Sequence, residues 1–257
     1  MRSFPKPVNV LKVRVLLAAV AVAAGTLGVP SVAFAGTGGA STQKSHAWAG
    51  YQADQQTFRY VAASWAVPAI SCRGITPQGD PDSYFWAGFG PGSSNSERVG
   101  VRELCTGTLA AYVAYIEMNG LYEAQAIDPA PGDKVSASIS FRSGMYRFSL
   151  NDSTQRKSFS LRYSCGAFSF GQGTCSRSTA EVIAGIWAPG LSPLADYHKI
   201  TFGHIAITDS RGQSGSFAKN GHWKITKFSE YHGTRLAAYA SPLPPKGTQF
   251  ADTWRHL

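Results

Sequence analysis

The chain has 257 residues, of which 24 are Lys or Arg and 15 are Asp or Glu, so its formal net charge is +9. Four of the basic residues lie within the first 14 positions, and the Lys and Arg residues of the remainder form no basic run. The rest of the chain is therefore only mildly basic, which argues against a nucleic-acid partner.

The N-terminal segment has the pattern of a secretory signal. Basic residues between positions 2 and 14 precede an apolar run over 15–29, and Ala33-Phe34-Ala35 fits a small-x-small cleavage site. We predict a signal peptide at residues 1–35, a flexible leader at 36–45 and one domain over 46–257, secreted to the extracellular space. An uncleaved anchor is the alternative, but the run is short for a membrane span. No later segment is apolar enough to cross a bilayer.

Strand patterns dominate the rest of the chain. In chain order they are FRYVAASWAVP (58–68), SYFWAGFG (83–90), LAAYVAYIEM (109–118), KVSASISF (134–141), YRFSLND (146–152), SFSLRYS (158–164), AEVIAGIW (180–187), HKITFGHIAIT (198–208) and HWKITKFSE (222–230). The alternation of small or polar with aromatic or β-branched residues is typical of antiparallel strands. Arg142 to Met145 reads as a hairpin turn. We therefore expect an all-β sandwich or barrel.

Four cysteines remain in the exported chain: Cys72, Cys105, Cys165 and Cys175. An even count predicts two disulfides, and three pairings are possible. Proximity in sequence favours Cys165 with Cys175, which leaves Cys72 with Cys105. No CxxC or HxxxH spacing is present, so we expect no metal ligands, and no GxSxG nucleophile motif is present either.

Several motifs, in order along the chain, resemble those of one enzyme family. They are HAWAGYQA (46–53), TFRYVAASWAVPAISC (57–72), SYFWAGFGPG (83–92), YVAYIEM (112–118), PGDKVSASISF (131–141), STAEVIA (178–184) and PLADYHKITF (193–202). Each motif alone is weak, but their joint order and spacing are specific. They resemble the glutamic peptidases, also called eqolisins, and Cys72 and Cys105 match cysteines of the bacterial members.

The resemblance implies a fold and a chemistry. The fold is a two-sheet antiparallel β-sandwich, similar to concanavalin A and other lectins, with a groove across the concave sheet. The family consists of acid endopeptidases that need no metal or cofactor. A glutamate acts as general base on the attacking water, and a glutamine amide stabilises the oxyanion.

Carried over residue by residue, the resemblance implies that both catalytic positions are substituted. Arg98 stands at the family glutamine, and Gly185 stands at the family glutamate in AEVIAG, since the A-E-x-I-x-E segment ends there. Gly90 replaces the aspartate of the G-x-D-G turn. The residues expected to line the groove are Trp86, Arg98, Tyr115, Glu117, Glu181 and Trp187, of which Trp187 belongs to an apparent two-residue insertion after Gly185.

These substitutions leave three interpretations of the site. Glycine cannot accept a proton, so the simplest is that Arg98 forms an ion pair with Glu117 or Glu181 and catalysis is lost. In the second, Glu181 or Glu117 serves as the base and Arg98 as an oxyanion clamp. In the third, the alignment is displaced and Gln78 or Gln125 supplies the amide.

The leading hypothesis is a secreted, non-catalytic, monomeric protein of the glutamic peptidase type. It would bind an extended peptide or a polysaccharide in the former substrate groove. The alternative hypothesis is an active acid endopeptidase that uses Glu181 or Glu117. A lectin-like function is a third reading, based on aromatic content and fold analogy alone.

Overall fold

The computed structural model describes residues 40–72, 79–90, 96–165, 167, 175–187, 192–218 and 221–255. The predicted signal peptide lies outside these residues, as does Gln78. The described residues contain no helix, and therefore none that could cross a membrane. Their strands are β1 (Ser41–Ser45), β2 (Trp48–Asp54), β3 (Phe58–Ala66), β4 (Asp82–Phe89), β5 (Glu97–Thr106), β6 (Leu109–Met118), β7 (Leu121–Ala124), β8 (Lys134–Arg142), β9 (Met145–Asp152), β10 (Lys157–Ser164), β11 (Ala180–Gly185), β12 (Lys199–Asp209), β13 (Ser214–Gly215), β14 (Lys224–His232), β15 (Arg235–Ala240) and β16 (Phe250–Trp254).

The strands form two layers that share β12. The order β10-β9-β8-β3-β12 makes the smaller layer, and β16-β15-β14-β2-β11-β4-β5-β6-β7 makes the larger one. The first four residues of β12 pair with β16, whereas Gly203 to Asp209 pair with β3. A break in register between Gly203 and Ala206 lies near the point where β12 passes from one layer to the other.

A common apolar core lies between the layers. Buried side chains of β3, β8 and β9 meet those of β4, β5 and β11, as in the pair Phe89 and Tyr146, whose ring centroids lie 6.4 Å apart. Trp65 of β3 packs against Phe202 of β12 at 5.4 Å. Each strand alternates core-facing with outward-facing residues, as the sequence pattern predicts. The all-β antiparallel fold expected from the sequence is confirmed.

The hairpin between β8 and β9 is also confirmed. Arg142 pairs with Met145, and the two central residues, Ser143 and Gly144, both have positive φ values, 50° and 76°. Positive φ at both central positions is typical of the two-residue turns that match the twist of the flanking strands. Ser143 and Gly144 therefore fix the register of the outer strands of the smaller layer.

Some elements depart from the sequence expectations. Ser41 to Ser45, placed in the predicted flexible leader, form β1 and pair in parallel with Thr226 to Glu230 of β14. Strand β5 was absent from the predicted strands because its charged residues and Gly100 mask the alternation. It is nevertheless fully paired on both sides, with β4 and β6.

Both predicted disulfides are present. Cys72 is bonded to Cys105 and Cys165 to Cys175, with Cα–Cα distances of 5.4 and 5.7 Å. The first bond ties the segment after β3 to the end of β5. Disulfides of this kind are compatible with an oxidising, extracellular compartment.

Candidate functional site

Four residues form a row across the outer face of the larger layer. Glu181 of β11 is the register partner of Gly88 of β4, Gly88 is the partner of Arg98 of β5, and Arg98 is the partner of Glu117 of β6. Residues in register on neighbouring strands project from the same face. The row therefore brings together Arg98, Glu117 and Glu181, three of the residues expected to line the groove.

The Arg98 guanidinium is held between the two carboxylates. Its Nε donates to Oε1 of Glu181 at 3.3 Å, and its Nη1 donates to Oε2 of Glu117 at 3.3 Å. Trp86 Nε1 adds a hydrogen bond of 2.8 Å to Oε1 of Glu181, and Ser96 Oγ adds one of 2.7 Å to Oε1 of Glu117. The predicted ion pair thus involves both glutamates.

The glycine between Arg98 and Glu181 explains how the arginine reaches across a strand. A Cβ at Gly88 would lie 3.0 Å from Cγ of Arg98 and 3.1 Å from Cδ1 of Trp86. The aliphatic stem of Arg98 therefore lies over a position that only glycine leaves open. The motif WAG at 86–88 supplies both the indole and this open position.

Aromatic rings enclose the guanidinium. Its Cζ lies 4.6 Å from the ring centroid of Trp86 and 5.2 Å from that of Trp48, within the range of cation–π attraction. The adjoining apolar cluster on this face consists of Tyr84, Trp86, Tyr115, Ile183 and Phe228, with Trp48 and Tyr122 packed against it. The expected groove residues Trp86 and Tyr115 therefore belong to one aromatic wall.

Burial governs the charges of the row. Glu181, Glu117 and Arg98 are 0%, 1% and 1% exposed. Burial raises the pKa of Glu181 from its ordinary value, although Arg98 and Trp86 partly oppose the shift. Burial alone would lower the pKa of Arg98, but Glu117 and Glu181 outweigh it and raise the pKa above the usual value. The arginine is therefore a permanent cation in this site.

The position expected to hold the catalytic glutamate has no room for a side chain. A Cβ at Gly185 would overlap the carbonyl oxygen of Ala47 and lie 3.1 Å from Cα of Trp48. That oxygen is held in place, since Ile186 N donates to it at 2.9 Å. The backbone entering β2 thus occupies the space above Gly185.

Other predicted residues lie elsewhere. Trp187 is 37% exposed and is not a member of the aromatic cluster around Trp86. The amide of Gln125 donates to Glu123 Oε1 at 3.1 Å and lies on the segment that follows β7. Gln125 therefore does not pair with the Arg98 row.

Two further polar residues of the larger layer escaped the sequence analysis. Gln52 of β2 is the register partner of Glu181, which places an amide beside that carboxylate on the next strand. Glu230 of β14 is fully buried. Its Oε1 lies 3.1 Å from Nε2 of His232, within hydrogen-bond distance. Burial raises the pKa of Glu230, and the neighbouring His232 opposes that shift. The alternation of WAGYQA could have indicated the face of Gln52, but not its strand partner.

Several buried polar atoms of the face have no hydrogen-bond partner among the described residues. They include the donors Trp48 Nε1, Arg98 Nη2, Tyr115 Oη and Tyr122 Oη and the acceptor Oε2 of Glu181. Unsatisfied buried groups of this kind cost free energy, but comparable atoms occur elsewhere in the described residues, for example on Glu97, Glu103 and Asp209, so they do not by themselves mark a site. Within the described ranges no group of three or more His, Cys, Asp or Glu is placed to hold a metal ion.

Comparison with known proteins gives a consistent picture. The model of the Peptidase A4 family matches residues 46–239. The fold is similar to that of scytalido-glutamic peptidase bound to a transition state analog inhibitor, with 19% identity, a TM-score of 0.64, and coverage of 82% of this chain and 98% of that one. SCP-B, described as a member of the eqolisin family in complex with the tripeptide Ala-Ile-His, gives 19% identity, the same coverage and a TM-score of 0.63.

The aspergilloglutamic peptidase from Aspergillus niger is also similar in fold. It shows 16% identity and a TM-score of 0.58, and the match covers 68% of this chain and 99% of that chain. Comparison with curated proteins by sequence returns no match.

Proposed function

The chain belongs to the Peptidase A4 family, and from this premise we propose that it is a non-catalytic member that binds an extended peptide along the outer face of its larger layer. The observation that carries the proposal is the fixed position of Arg98 between Glu117 and Glu181. A family member that cleaves peptides needs a carboxylate free to accept a proton from water. Here the carboxylates of Glu117 and Glu181 are both buried and both form ion pairs with the Arg98 guanidinium.

The geometry around Gly185 supports the loss of catalysis independently. No acid can stand at that position while the Ala47 carbonyl keeps its hydrogen bond to Ile186. Loss of a positioned general base typically lowers a rate by about 10²- to 10⁴-fold. An arginine at the amide position stabilises negative charge but does not exchange protons at ordinary pH.

The aromatic wall and a related structure support a peptide as the ligand. The partly exposed ring of Trp48 packs against that wall and offers apolar surface to the side chains of an extended peptide. SCP-B is described in complex with the tripeptide Ala-Ile-His, and the likeness of fold supports the same class of ligand here. Polysaccharide remains the competing ligand, since aromatic walls also stack on sugars.

The test is a binding measurement with a matched variant. The mature protein, residues 36–257, is titrated by calorimetry with extended decapeptides and with oligosaccharides, and the peptides are recovered and analysed by mass spectrometry. We expect intact peptides and binding that falls at least tenfold in the Trp48→Ala variant, which removes the partly exposed ring of the aromatic wall. Binding of oligosaccharides alone, or equal peptide binding by the variant, contradicts the proposal.

A second candidate function is an acid endopeptidase. Its specific support is that Glu181 keeps one unpartnered oxygen and has the Gln52 amide as its neighbour on β2. In this reading Glu181 is the base and Gln52 or Arg98 stabilises the oxyanion. Cleavage of denatured casein at pH 2–5 that is abolished by Glu181→Gln or by Glu117→Gln is the expected outcome for this candidate. Absence of cleavage excludes it.

Export and a monomeric state are part of the same proposal. The basic, apolar and small-x-small pattern of residues 1–35 and the two disulfides support secretion. N-terminal sequencing of protein from the culture medium is expected to begin near Gly36, and light scattering is expected to give the mass of one chain. Retention of the full chain in the membrane fraction contradicts this part of the proposal.

A further inference from the structure

A second cavity lies on the other side of strands β2 and β14 from the Arg98 row. On β2, Gly50 and Gln52 face the row, whereas Tyr51 between them lines this cavity. On β14, Phe228 faces the aromatic cluster, whereas Lys227 lines the cavity. Because neighbouring residues of a strand point to opposite faces, the two sites are separate.

The cavity has the size and walls of a small-molecule site. Its volume is about 710 Å³, within the usual range for ligand pockets. Its floor is formed by the aromatic rings of Tyr51, Phe217 and Trp223, which are 1%, 1% and 7% exposed. The rings of Tyr51 and Phe217 lie 5.7 Å apart, so they form one continuous aromatic surface.

The proline segment 242–245 forms a rigid side of this cavity. Proline fixes φ and has no N–H to be satisfied, so a run of prolines holds an extended shape without a sheet partner. Gly247 N donates to Pro244 O at 2.8 Å, and Phe217 N donates to Gly247 O at 3.2 Å. These bonds fasten the proline segment to the aromatic floor, so the cavity is preformed.

The polar atoms of the floor are already used within the protein. Tyr51 Oη donates to Ser241 O at 2.7 Å, and Trp223 Nε1 donates to Ser216 O at 3.2 Å. The small surface that these rings leave open is therefore apolar, and the more exposed Leu243 and Pro244 complete the apolar wall. The ammonium groups of Lys224 and Lys227 form no ion pair within 4.0 Å of a described acid, and no Asp or Glu lines the cavity. Lys227 attracts the buried Asp252 carboxylate only at longer range, so its ammonium keeps donors for a ligand.

We propose that this cavity binds a carboxylate with an apolar body, with the carboxylate at Lys227 and the body on the aromatic floor. A charge-assisted hydrogen bond at the edge of an apolar pocket fixes both the polarity and the orientation of such a ligand. Two sources have this chemistry, namely the C-terminal residue of an apolar peptide and a fatty acid. The aromatic floor accepts either, so the experiment separates them.

The experiment compares acids with their neutral amides. N-acetyl-L-phenylalanine and its primary amide represent the peptide C-terminus, and octanoate and octanamide represent the acyl chain. Binding to the mature protein is measured by calorimetry and by saturation-transfer NMR. We expect at least one acid to bind tenfold more tightly than its amide, and the better pair identifies the source.

Variants then locate the charge. Lys227→Met keeps the length of the side chain and removes the ammonium, so it is expected to abolish the preference for the acid. Lys199→Met, an exposed lysine on β12 outside the cavity, is the control and is expected to keep the preference. Equal binding of acid and amide by the unmodified protein overturns the proposal even if a variant fails to fold. Binding of no probe at millimolar concentration, or a preference unchanged in Lys227→Met, overturns it as well.

Discussion

The carbonyl oxygen of Ala47 lies directly over Gly185, in the space that a side chain at that position would fill. The Ile186 amide donates to the same oxygen at 2.9 Å. This hydrogen bond holds the Ala47 carbonyl where it excludes a side chain at position 185. The family resemblance places a catalytic glutamate at that position. A side chain at residue 185 would require this backbone to move.

The first prediction concerns this steric block. Gly185→Ala is expected to lower the free energy of unfolding by about 1–3 kcal/mol, because overpacking a closed site forces the backbone to move. Gly185→Glu is expected to be at least as destabilising and to confer no peptidase activity. Urea unfolding measures the first effect and casein hydrolysis the second.

Gly203→Ala is the matched control. Gly203 also lies in a strand, yet the nearest atom to its added Cβ is Ser64 Oγ at 4.0 Å. We expect this variant to keep the stability of the unmodified protein within about 0.5 kcal/mol, as surface substitutions usually do. Equal losses in the two variants contradict the steric account.

The second prediction concerns the ion-pair row. Arg98→Gln leaves Glu117 and Glu181 buried without their cation, which is expected to cost about 3–5 kcal/mol of stability near neutral pH. Replacing Glu181 by Gln in the same chain is expected to recover part of that loss, because one uncompensated charge is removed. A double-mutant cycle measured by chemical unfolding gives the coupling. Additive effects of the two substitutions contradict the row as a coupled unit.

The third prediction follows from buried carboxyl groups away from the row. Burial raises the pKa of Glu97 to about 8 and that of Asp252 to about 7. Because both folded-state values lie above those of the unfolded chain, the stabilisation is complete below about pH 4 and is lost as the pH rises through 7 and 8. We expect the free energy of unfolding to be higher at pH 5 than at pH 8. Glu97→Gln is expected to flatten part of this decline, and a stability that rises from pH 5 to pH 8 contradicts the assignment.

The fourth prediction compares the two disulfides. Cys72 and Cys105 are 33 residues apart, whereas Cys165 and Cys175 are 10 apart. Loop-closure entropy predicts losses of about 4 and about 3 kcal/mol respectively when each pair is replaced by serine. Thermal and urea unfolding of the two double-serine variants measure the order. A larger loss from the 165–175 pair contradicts the prediction.

The sequence predicted the strands well where alternation was regular, as in β6, whose predicted range LAAYVAYIEM has the observed bounds. The pairing of Arg98 with Glu117 or Glu181 was expected because the family resemblance places all three residues in one groove, and the structure pairs Arg98 with both. The position of Gln52 beside Glu181 was not visible, since register between β2 and β11 depends on pairing between residues more than a hundred positions apart.

The block at Gly185 could not be predicted for a related reason. It depends on how the backbone of Ala47 enters the sheet, and neither periodicity nor family motif describes that path. The same holds for the 710 Å³ cavity, which is assembled from β2, β14, Phe217 and the proline segment. Packing between distant segments decides both features, so only coordinates reveal them.

The most direct test of the central claim is a search for cleavage products. The mature protein, freed of other proteases, is incubated with a mixed peptide library at pH 2–5 beside its Glu181→Gln variant, and new termini are counted by mass spectrometry. With Arg98 fixed between two buried carboxylates, we predict no new termini from either protein. New termini from the unmodified protein that disappear in Glu181→Gln would contradict the account and establish a working peptidase.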